Sequence, residues 1–222
     1  MKGLNPRALI AIDDDNLSMD KRFARRLAEA LIPLNVRWMC TADVSIAEDE
    51  ELLKLLYRSG CGMVYIGFES ISEKSLDSVD RSNWKAKQVK DYPKAIHKIQ
   101  SYGIGVWGSF VVGFDNDEGS IFQDMEEFIV ANNLYAVYVG ILTPFPGTRL
   151  RERLKREGRL LDTDWSHYTL ADVNYVPRRM TCEELEEGHY RLFKNVLAPE
   201  VRRKKRTYFR EIYKKNKLKV KS

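Results

Sequence analysis

The stretch from Gly60 to Ser70 ends in residues that suit ligand binding. Alternate side chains of an extended strand face opposite sides, so Gly67 and Glu69 share one face. The glycine leaves room for a flat group to approach the backbone, and the carboxylate stands beside that space. A plainer interpretation is a glycine that relieves crowding inside a barrel and a solvated carboxylate at a strand end. Taken alone, the motif favours the plainer interpretation, because isolated motifs are weak signals.

Polar or glycine-rich groups follow five short apolar runs along the chain. The groups are Asp13–Asn16, Thr41–Asp43, Glu69–Ser70, Gly113–Asp115 and Thr143–Thr148. Continuous apolar runs that alternate with helix-like segments predict an α/β fold with a parallel sheet, either open and doubly wound or part of a barrel. In both architectures ligands bind at the carboxyl ends of the strands. The first run, residues 8–13, is expected to be a strand buried on both faces.

Composition excludes several classes of protein. The 222 residues are 44% hydrophobic and 31% charged, which is typical of a globular domain with its own core. No run approaches the ~18 apolar residues of a membrane span, and the first apolar stretch is too short for a signal peptide. We therefore expect a cytoplasmic protein.

Three widely spaced cysteines, Cys40, Cys61 and Cys182, argue against a disulfide framework and show no CxxC pair. Cys40 lies near the end of one predicted strand and Cys61 before the start of the next. We expect the two to lie more than about 10 Å apart along the strand direction. The sequence therefore predicts small buried side chains and no zinc or iron–sulfur site built from these residues.

Positive charge is concentrated at the C-terminus. Residues 201–222 carry eleven lysines or arginines and one glutamate, a net charge of +10, so the remainder carries −5. The basic segment suits contact with RNA or an acidic partner, although a solvated tail is the simpler interpretation. Apolar side chains recur there at helical spacing, which indicates a helix. Two capping boxes, Ser45–Glu48 and Thr181–Glu184, predict further helix starts.

Taken together, the strand-end sequences resemble the radical S-adenosylmethionine enzymes, within them the cobalamin-binding-type branch. The resemblance covers about residues 8–197, and each piece alone is moderately specific. The matching pieces, in order, are Asp13–Asn16, Arg37-Trp38, Glu51–Leu53, Ser59–Cys61, Ile66–Ser70, Gly103-Ile104, Gly108–Asp115, Thr143–Thr148, Gly158-Arg159, Met180-Thr181 and Glu183–Leu185.

The resemblance implies a partial (β/α)6 barrel of parallel strands with a C-terminal helical extension. In this family, a CxxxCxxC loop after the first strand holds a four-iron cluster, which binds S-adenosylmethionine and cleaves it to a 5′-deoxyadenosyl radical. That motif is absent from the 222 residues. The first strand here looks like the family's third, which implies that two strands and the cluster loop lie elsewhere. We therefore expect a C-terminal fragment, or one chain of a split enzyme, that is not catalytic alone. The resemblance leaves open whether cobalamin is used, and its place would be a further missing domain.

By position in this resemblance, two sets of residues face ligands. The set implied for S-adenosylmethionine is Thr41, Asp43, Gly67, Glu69, Ser70, Phe110, Val112 and Gly113. The set implied on the substrate side is Asp14, Asp15, Pro144, Pro146 and Gly147. The expected divisions are a partial barrel over 1–148, a helical extension over 149–200 and a basic tail over 201–222.

Two other functions stay open at this point. One is a divalent-metal α/β enzyme that uses strand-end carboxylates, because hard cations prefer oxygen ligands. Its candidates are Asp13–Asp15, Asp43, Glu69 and Asp115. The other is a non-catalytic binding module that contacts RNA through the basic tail. If barrel strands are missing, residues 8–13 form an open apolar edge, which favours association with a chain that supplies them.

Overall fold

The structure is a computed structural model that describes residues 8–77, 79–80 and 82–219. Five parallel strands form one curled sheet, a half-barrel, in the order of the sequence. The α/β class and the partial barrel predicted from the sequence are therefore confirmed. The strands are β1 (Leu9–Ile12), β2 (Arg37–Ala42), β3 (Cys61–Glu69), β4 (Gly105–Val112) and β5 (Ala136–Ile141).

Helices connect and follow the strands. The α-helices are α1 (Lys21–Leu31), α2 (Glu50–Arg58), α3 (Glu73–Leu76), α4 (Trp84–Gln88), α5 (Tyr92–Ser101), α6 (Ile121–Ala131), α7 (Arg149–Arg156), α8 (Cys182–Val196) and α9 (Pro199–Lys219). Short 3-10 turns occupy Leu17–Met19, Ile32–Leu34, Val44–Glu48, Val89–Asp91 and Trp165–His167. None of the helices in the described ranges is long and apolar enough to cross a membrane.

The core lies between the convex face of the sheet and the helices. Phe68 of β3 stacks on Phe110 of β4 with ring centroids 5.2 Å apart, and Tyr92 of α5 meets Phe68 edge-on at 4.8 Å. All three side chains are buried. Because side chains alternate along a strand, Tyr65 and Trp107 lie on the opposite, concave face, where their rings meet edge-on at 5.3 Å. The concave face is thus partly aromatic and partly open.

β1 is an edge strand, which corrects the expectation that it is buried on both faces. In the described sheet it pairs with β2 alone, and its residues alternate between exposed and half-buried, with Leu9 47% exposed. Within the residues that the structure describes, no strand lies beside its outer edge.

The C-terminal basic segment forms the long helix α9, with residues 220–222 outside the described part. One side of α9 packs on the barrel. Phe209 is buried against Tyr135 at 5.1 Å, and the buried Asn216 amide donates to the Ser101 carbonyl oxygen at 3.1 Å. Most lysines and arginines on α9 are exposed. The described part of the predicted tail is therefore a docked amphipathic helix.

A hairpin-like excursion, residues 159–176, connects α7 toward α8. Leu160 and Tyr175 form an antiparallel bridge, and Leu161 N–H donates to the Asn174 carbonyl oxygen at 3.0 Å. The buried Asn174 amide also donates to Thr163 Oγ1 and to the His167 carbonyl oxygen, each at 3.1 Å. These contacts hold the tip of the excursion, which contains the Trp165–His167 turn.

Gly60 and Gly62 offer a matched test of the turn that starts β3. Gly60 has φ +91°, and an added Cβ would lie 2.1 Å from the Val36 carbonyl oxygen, whereas nothing lies within 4 Å of a Cβ at Gly62. We expect Gly60→Ala to lower the free energy of unfolding by about 2 kcal/mol or more, because the cost of the left-handed backbone conformation is added to that of the clash. Gly62→Ala should change it by less than about 1 kcal/mol. Urea unfolding of both variants measures this, and equal losses would contradict the turn geometry.

Candidate functional site

A pocket of about 550 Å³ opens at the carboxyl ends of β1, β2 and β3. Its size is that of small-molecule sites in general. We call it the rim pocket. Its lining residues are Asp15, Asn16, Met19, Thr41, Ala42, Asp43, Tyr65, Gly67, Glu69, Asp80, Ser82, Trp84 and Lys85. Of the residues singled out in the sequence, it therefore brings together Asp15, Thr41, Asp43, Gly67 and Glu69.

Asp43 is held in one orientation by groups from two loops. The Asn16 amide donates to one carboxylate oxygen at 2.6 Å, and Ser45 N–H donates to the other at 2.8 Å. Asp43 N–H in turn donates to Ser18 Oγ at 3.0 Å. Burial tends to raise the pKa of Asp43, but hydrogen bonds from Ser45, Asn16 and Ser18 outweigh it and the pKa is lowered. The carboxylate is therefore ionised and fixed at the pocket wall.

Glu69 sits where the strand ends irregularly. Its φ is +65°, and the register of β3 against β4 shifts between Gly67 and Glu69. Lys85 Nζ donates to Glu69 Oε1 at 2.6 Å and to the Gly67 carbonyl oxygen at 3.0 Å. A Cβ at Gly67 would lie 2.6 Å from Glu69 Oε1. The glycine therefore makes room for the Glu69 carboxylate itself, and the lysine closes one side of that space.

Asp80 and Lys85 belong to the rim pocket although the sequence did not single them out. Asp80 accepts N–H groups of Trp84 and Lys85 at 2.9 and 3.0 Å. These bonds, first that of Trp84, lower the pKa of Asp80 to about 2. Asp80 lies three residues before Asn83, the N-cap position of α4, so the ordinary capping signal does not locate it. Among the described lining residues, four carboxylates face one lysine, so the pocket is acidic.

Four residues implied for the cofactor lie outside this lining. The side chains of Phe110 and Val112 are buried in the core on the helix side, which leaves only their backbone toward a ligand. Ser70 is buried, and its Oγ accepts Ser72 N–H at 3.1 Å. Gly113 N–H donates to Asp117 Oδ2 at 2.9 Å, and its carbonyl oxygen accepts the Tyr175 hydroxyl. The backbone of Gly113 is thus already engaged within the chain.

The remaining substrate-side residues are spread around the rim. Asp14 is exposed and is not part of the pocket lining. Pro144 is buried, and its carbonyl oxygen accepts Arg151 Nη1 at 3.1 Å. Pro146 and Gly147 are exposed at the loop after β5. The structure therefore places these residues at strand ends, but only Asp15 in the rim pocket.

Asp115, a candidate metal ligand, contacts arginines. Arg159 Nη2 lies 2.9 Å and Arg178 Nε 3.3 Å from its carboxylate, and Arg153 also pairs with it. Burial acts to raise the pKa of Asp115, but the arginines outweigh it and the pKa is lowered. Within the described residues, no group of three histidines, cysteines or carboxylates is arranged to hold a metal ion.

Cys40 and Cys61 are closer than the sequence suggested. Cys61 is the first residue of β3 and pairs in register with Trp38, only two residues before Cys40. A hydrogen bond with Cys40, together with burial, raises the pKa of the Cys61 thiol well above its ordinary range. Both thiols face the buried side, while Cys182 starts α8 and its Sγ contacts the Tyr175 carbonyl oxygen at 3.7 Å. The donor set does not fit a four-iron cluster, which takes thiolates.

Asp117 gives a test of the β4 end by pH. It is 2% exposed and accepts Ser75 Oγ at 2.5 Å besides the N–H groups of Gly113 and Phe114. Burial raises the pKa of Asp117 above the 3.8 of a free aspartate, although these hydrogen bonds act to lower it. The unfolded chain ionises first, so this group costs stability as pH rises from about 3.8 through its folded pKa.

We expect Asp117→Asn to gain stability relative to the parent chain as pH rises across that window, because asparagine keeps an acceptor and does not ionise. Urea unfolding between about pH 3.5 and 7 measures the difference. The exposed Asp124→Asn is the matched control and should show no such trend. A difference between Asp117→Asn and the parent that does not vary with pH would contradict a raised pKa.

Comparison with known proteins gives three kinds of likeness. Residues 148–222 match a family model described as a domain of unknown function, DUF4070. Bacteriochlorophyllide d C-12(1)-methyltransferase of Chlorobaculum tepidum is 30% identical over 183 residues, which are 82% of this chain and 39% of that protein. The C-8(2)-methyltransferase of the same organism is 23% identical over 166 residues, 75% of this chain and 36% of that protein.

Two solved structures share the fold. The radical S-adenosylmethionine methyltransferase TsrM of Kitasatospora setae, with cobalamin and a [4Fe-4S] cluster bound, aligns over 66% of this chain and 31% of its own, with a TM-score of 0.56 and 16% identity. Elp3 of Methanocaldococcus infernus aligns over 86% of this chain and 46% of its own, with a TM-score of 0.53 and 16% identity. The chain spans about two-fifths of the length of the curated relatives it matches. Motifs, fold and relatives agree: the chain is similar in sequence to these methyltransferases and shares the fold of radical S-adenosylmethionine enzymes.

Proposed function

We propose that this chain supplies the S-adenosylmethionine-facing and substrate-facing rim of a radical S-adenosylmethionine enzyme of the methyltransferase type. The observation that carries the proposal is the acidic rim pocket at the ends of β1, β2 and β3. Ligands of parallel α/β proteins bind at that edge of the sheet. Similarity to two methyltransferases supports the reaction class.

The pocket chemistry fits S-adenosylmethionine. Its sulfonium and ammonium groups are cations, which the carboxylates of Asp43 and Glu69 attract, and its ribose hydroxyls can donate to the same oxygens. Lys85 can hold the carboxylate of the methionine part. The bound cofactor supplies the 5′-deoxyadenosyl radical when an iron–sulfur cluster reduces it. In this proposal Asp43, fixed by Asn16, orients the cofactor and Glu69 balances its charge.

The predicted site residues that lie outside the rim pocket have a more limited role in this proposal. Backbone atoms of Phe110 and Val112, rather than their buried side chains, would flank the adenine. Gly113 and Ser70 would support that strand end from behind, because their polar groups are bonded within the chain. Asp14, Pro146 and Gly147 would border the substrate at the exposed rim.

The cluster ligands would come from sequence outside these 222 residues, in the same polypeptide or in a partner chain. The cysteines of this chain do not fit the cluster, and among the described residues β1 has a free edge where a further strand can pair. Cobalamin would bind in such an outside part, as a group of the kind bound by TsrM. The division into 1–148, 149–200 and 201–222 and a cytoplasmic location stay predictions.

A binding measurement tests the pocket. We expect the chain to bind S-adenosylmethionine more tightly than S-adenosylhomocysteine, which lacks the sulfonium charge. Glu69→Gln should weaken S-adenosylmethionine binding about tenfold, the size of one charge-assisted contact, and should affect S-adenosylhomocysteine much less. Titration calorimetry of both ligands measures the ratio.

Asp124→Asn, an exposed change on α6 that removes the same charge, is the control and should leave both affinities unchanged. Equal affinity for the two ligands, or an equal loss of both in Glu69→Gln, would contradict the role of the acidic pocket. Absence of binding would contradict the claim that these residues hold the cofactor.

Iron reconstitution tests the assignment of the cysteines. We expect the 222-residue chain, treated anaerobically with iron and sulfide, to bind no stoichiometric cluster, because its thiols do not converge on an open site. Iron analysis and the visible absorption of the desalted protein measure this. A stable four-iron cluster that is lost in the double variant Cys40→Ser, Cys61→Ser would overturn the assignment.

A further inference from the structure

Three aromatic rings and one guanidinium form a continuous cluster beside the loop that follows β5. We call it the aromatic–arginine cluster: Phe145, Arg151, Trp165 and Tyr168. The Trp165 and Tyr168 ring centroids are 4.8 Å apart, and those of Phe145 and Tyr168 are 6.2 Å apart. The Arg151 guanidinium carbon lies 5.3 Å from the Trp165 ring and 5.5 Å from the Tyr168 ring.

Three different elements bring these side chains together at the rim. Phe145 comes from the loop after β5, Arg151 from the first turns of α7, and Trp165 and Tyr168 from the tip of the 159–176 excursion. β5 and β3 are second neighbours in the sheet, about 10 Å apart. The cluster therefore borders the same edge of the barrel as the rim pocket and lies outside its lining.

Arg151 keeps hydrogen-bond donors free. Its two hydrogen bonds, to the Pro144 carbonyl oxygen at 3.1 Å and to the Tyr168 hydroxyl at 2.6 Å, both use Nη1. In the described part of the chain, no acceptor or acidic partner meets its Nε or Nη2. Arg25, Arg153 and Arg178 by contrast each pair with a carboxylate. A guanidinium held flat against rings with an open edge can receive a planar anion through two parallel N–H bonds.

The rings beside it are exposed. Trp165 is 61% and Phe145 39% exposed, although each touches another ring of the cluster. Single exposed aromatics are common, but contiguous ones at a ligand-binding edge mark a binding surface. Their faces can stack on a flat conjugated group. The single guanidinium of the cluster suits a monoanion such as a carboxylate better than a phosphate dianion.

We propose that the aromatic–arginine cluster is a substrate subsite for a planar conjugated ring system that carries a carboxylate. The rings stack on the flat part, and Nε and Nη2 of Arg151 donate to the carboxylate. The assignment rests on the proposed function, since it names the substrate class of the same rim. It also gives a role to the tip of the 159–176 excursion, which the cofactor pocket does not use.

Equilibrium dialysis of the full chain with three probes tests the proposal. The probes are 2-naphthoate, its neutral amide 2-naphthamide, and the saturated acid decahydro-2-naphthoate. We expect 2-naphthoate to bind most tightly, because the amide lacks the charge and the saturated acid lacks the flat face. Each loss should be about five- to tenfold, as single charge-assisted or stacking contacts are.

Variants assign the effect to particular side chains. Arg151→Gln should lower 2-naphthoate affinity about tenfold and leave 2-naphthamide unchanged, while Trp165→Leu should weaken both aromatic probes. Arg149→Gln removes the same charge from an exposed position on α7 and is the matched control. Arg151→Lys keeps the positive charge but removes the planar guanidinium. Its affinity for 2-naphthoate should therefore lie between those of Arg151→Gln and the parent chain.

The outcomes separate this subsite from the cofactor pocket. S-adenosylmethionine binding should be the same in Arg151→Gln and Trp165→Leu as in the parent chain, and Glu69→Gln should leave 2-naphthoate binding unchanged. Equal binding of the acid and the amide, an equal effect of Arg149→Gln, or no binding of any probe would overturn the proposal. A fall in thermal stability of Arg151→Gln without a change in the acid-to-amide ratio would assign Arg151 a structural role only and would likewise overturn it.

Discussion

The end of β3 is fixed by the buried packing around Phe68, and the candidate site depends on that packing. Phe68 is stacked on Phe110 and covered by Tyr92, whose hydroxyl donates to the Phe68 carbonyl oxygen at 3.3 Å. With Phe68 held on the helix side, the next residue must leave the strand toward the concave side. Glu69 does so with a φ of +65°. Core packing therefore places a charged group at the rim, and close-packed interiors tolerate few alternatives.

Much of the fold was predictable because it follows from local patterns. Five continuous apolar runs became five parallel strands, and polar groups at their ends lie along one edge. The Thr181–Glu184 capping box is present as predicted. The Ser45–Glu48 box is wrong, because Asp43 caps a 3-10 turn there and Asp49 caps α2 instead. The caps therefore lie at positions that the spacing of the box does not reveal.

The candidate site was predictable in part. Asp43 and Glu69 stand at strand ends and were found by position, whereas Lys85 reaches Glu69 across sixteen residues from a separate helix. Such a contact depends on where α4 packs, and no periodicity encodes it. The distance between Cys40 and Cys61 was misjudged for a related reason. Register sets it, and register follows from the pairing of whole strands rather than from either sequence alone.

Asp115 lies at the base of the 159–176 excursion, where its ion pairs limit which residues can change in sequence. Its carboxylate meets Arg159 at one end of the excursion and Arg178 just beyond the other, so both ends are tied to the end of β4. The tip can then vary in sequence without loosening the base. Substitutions at the tip can therefore accumulate while the barrel stays unchanged, whereas a substitution at Asp115 requires compensating changes at its arginines.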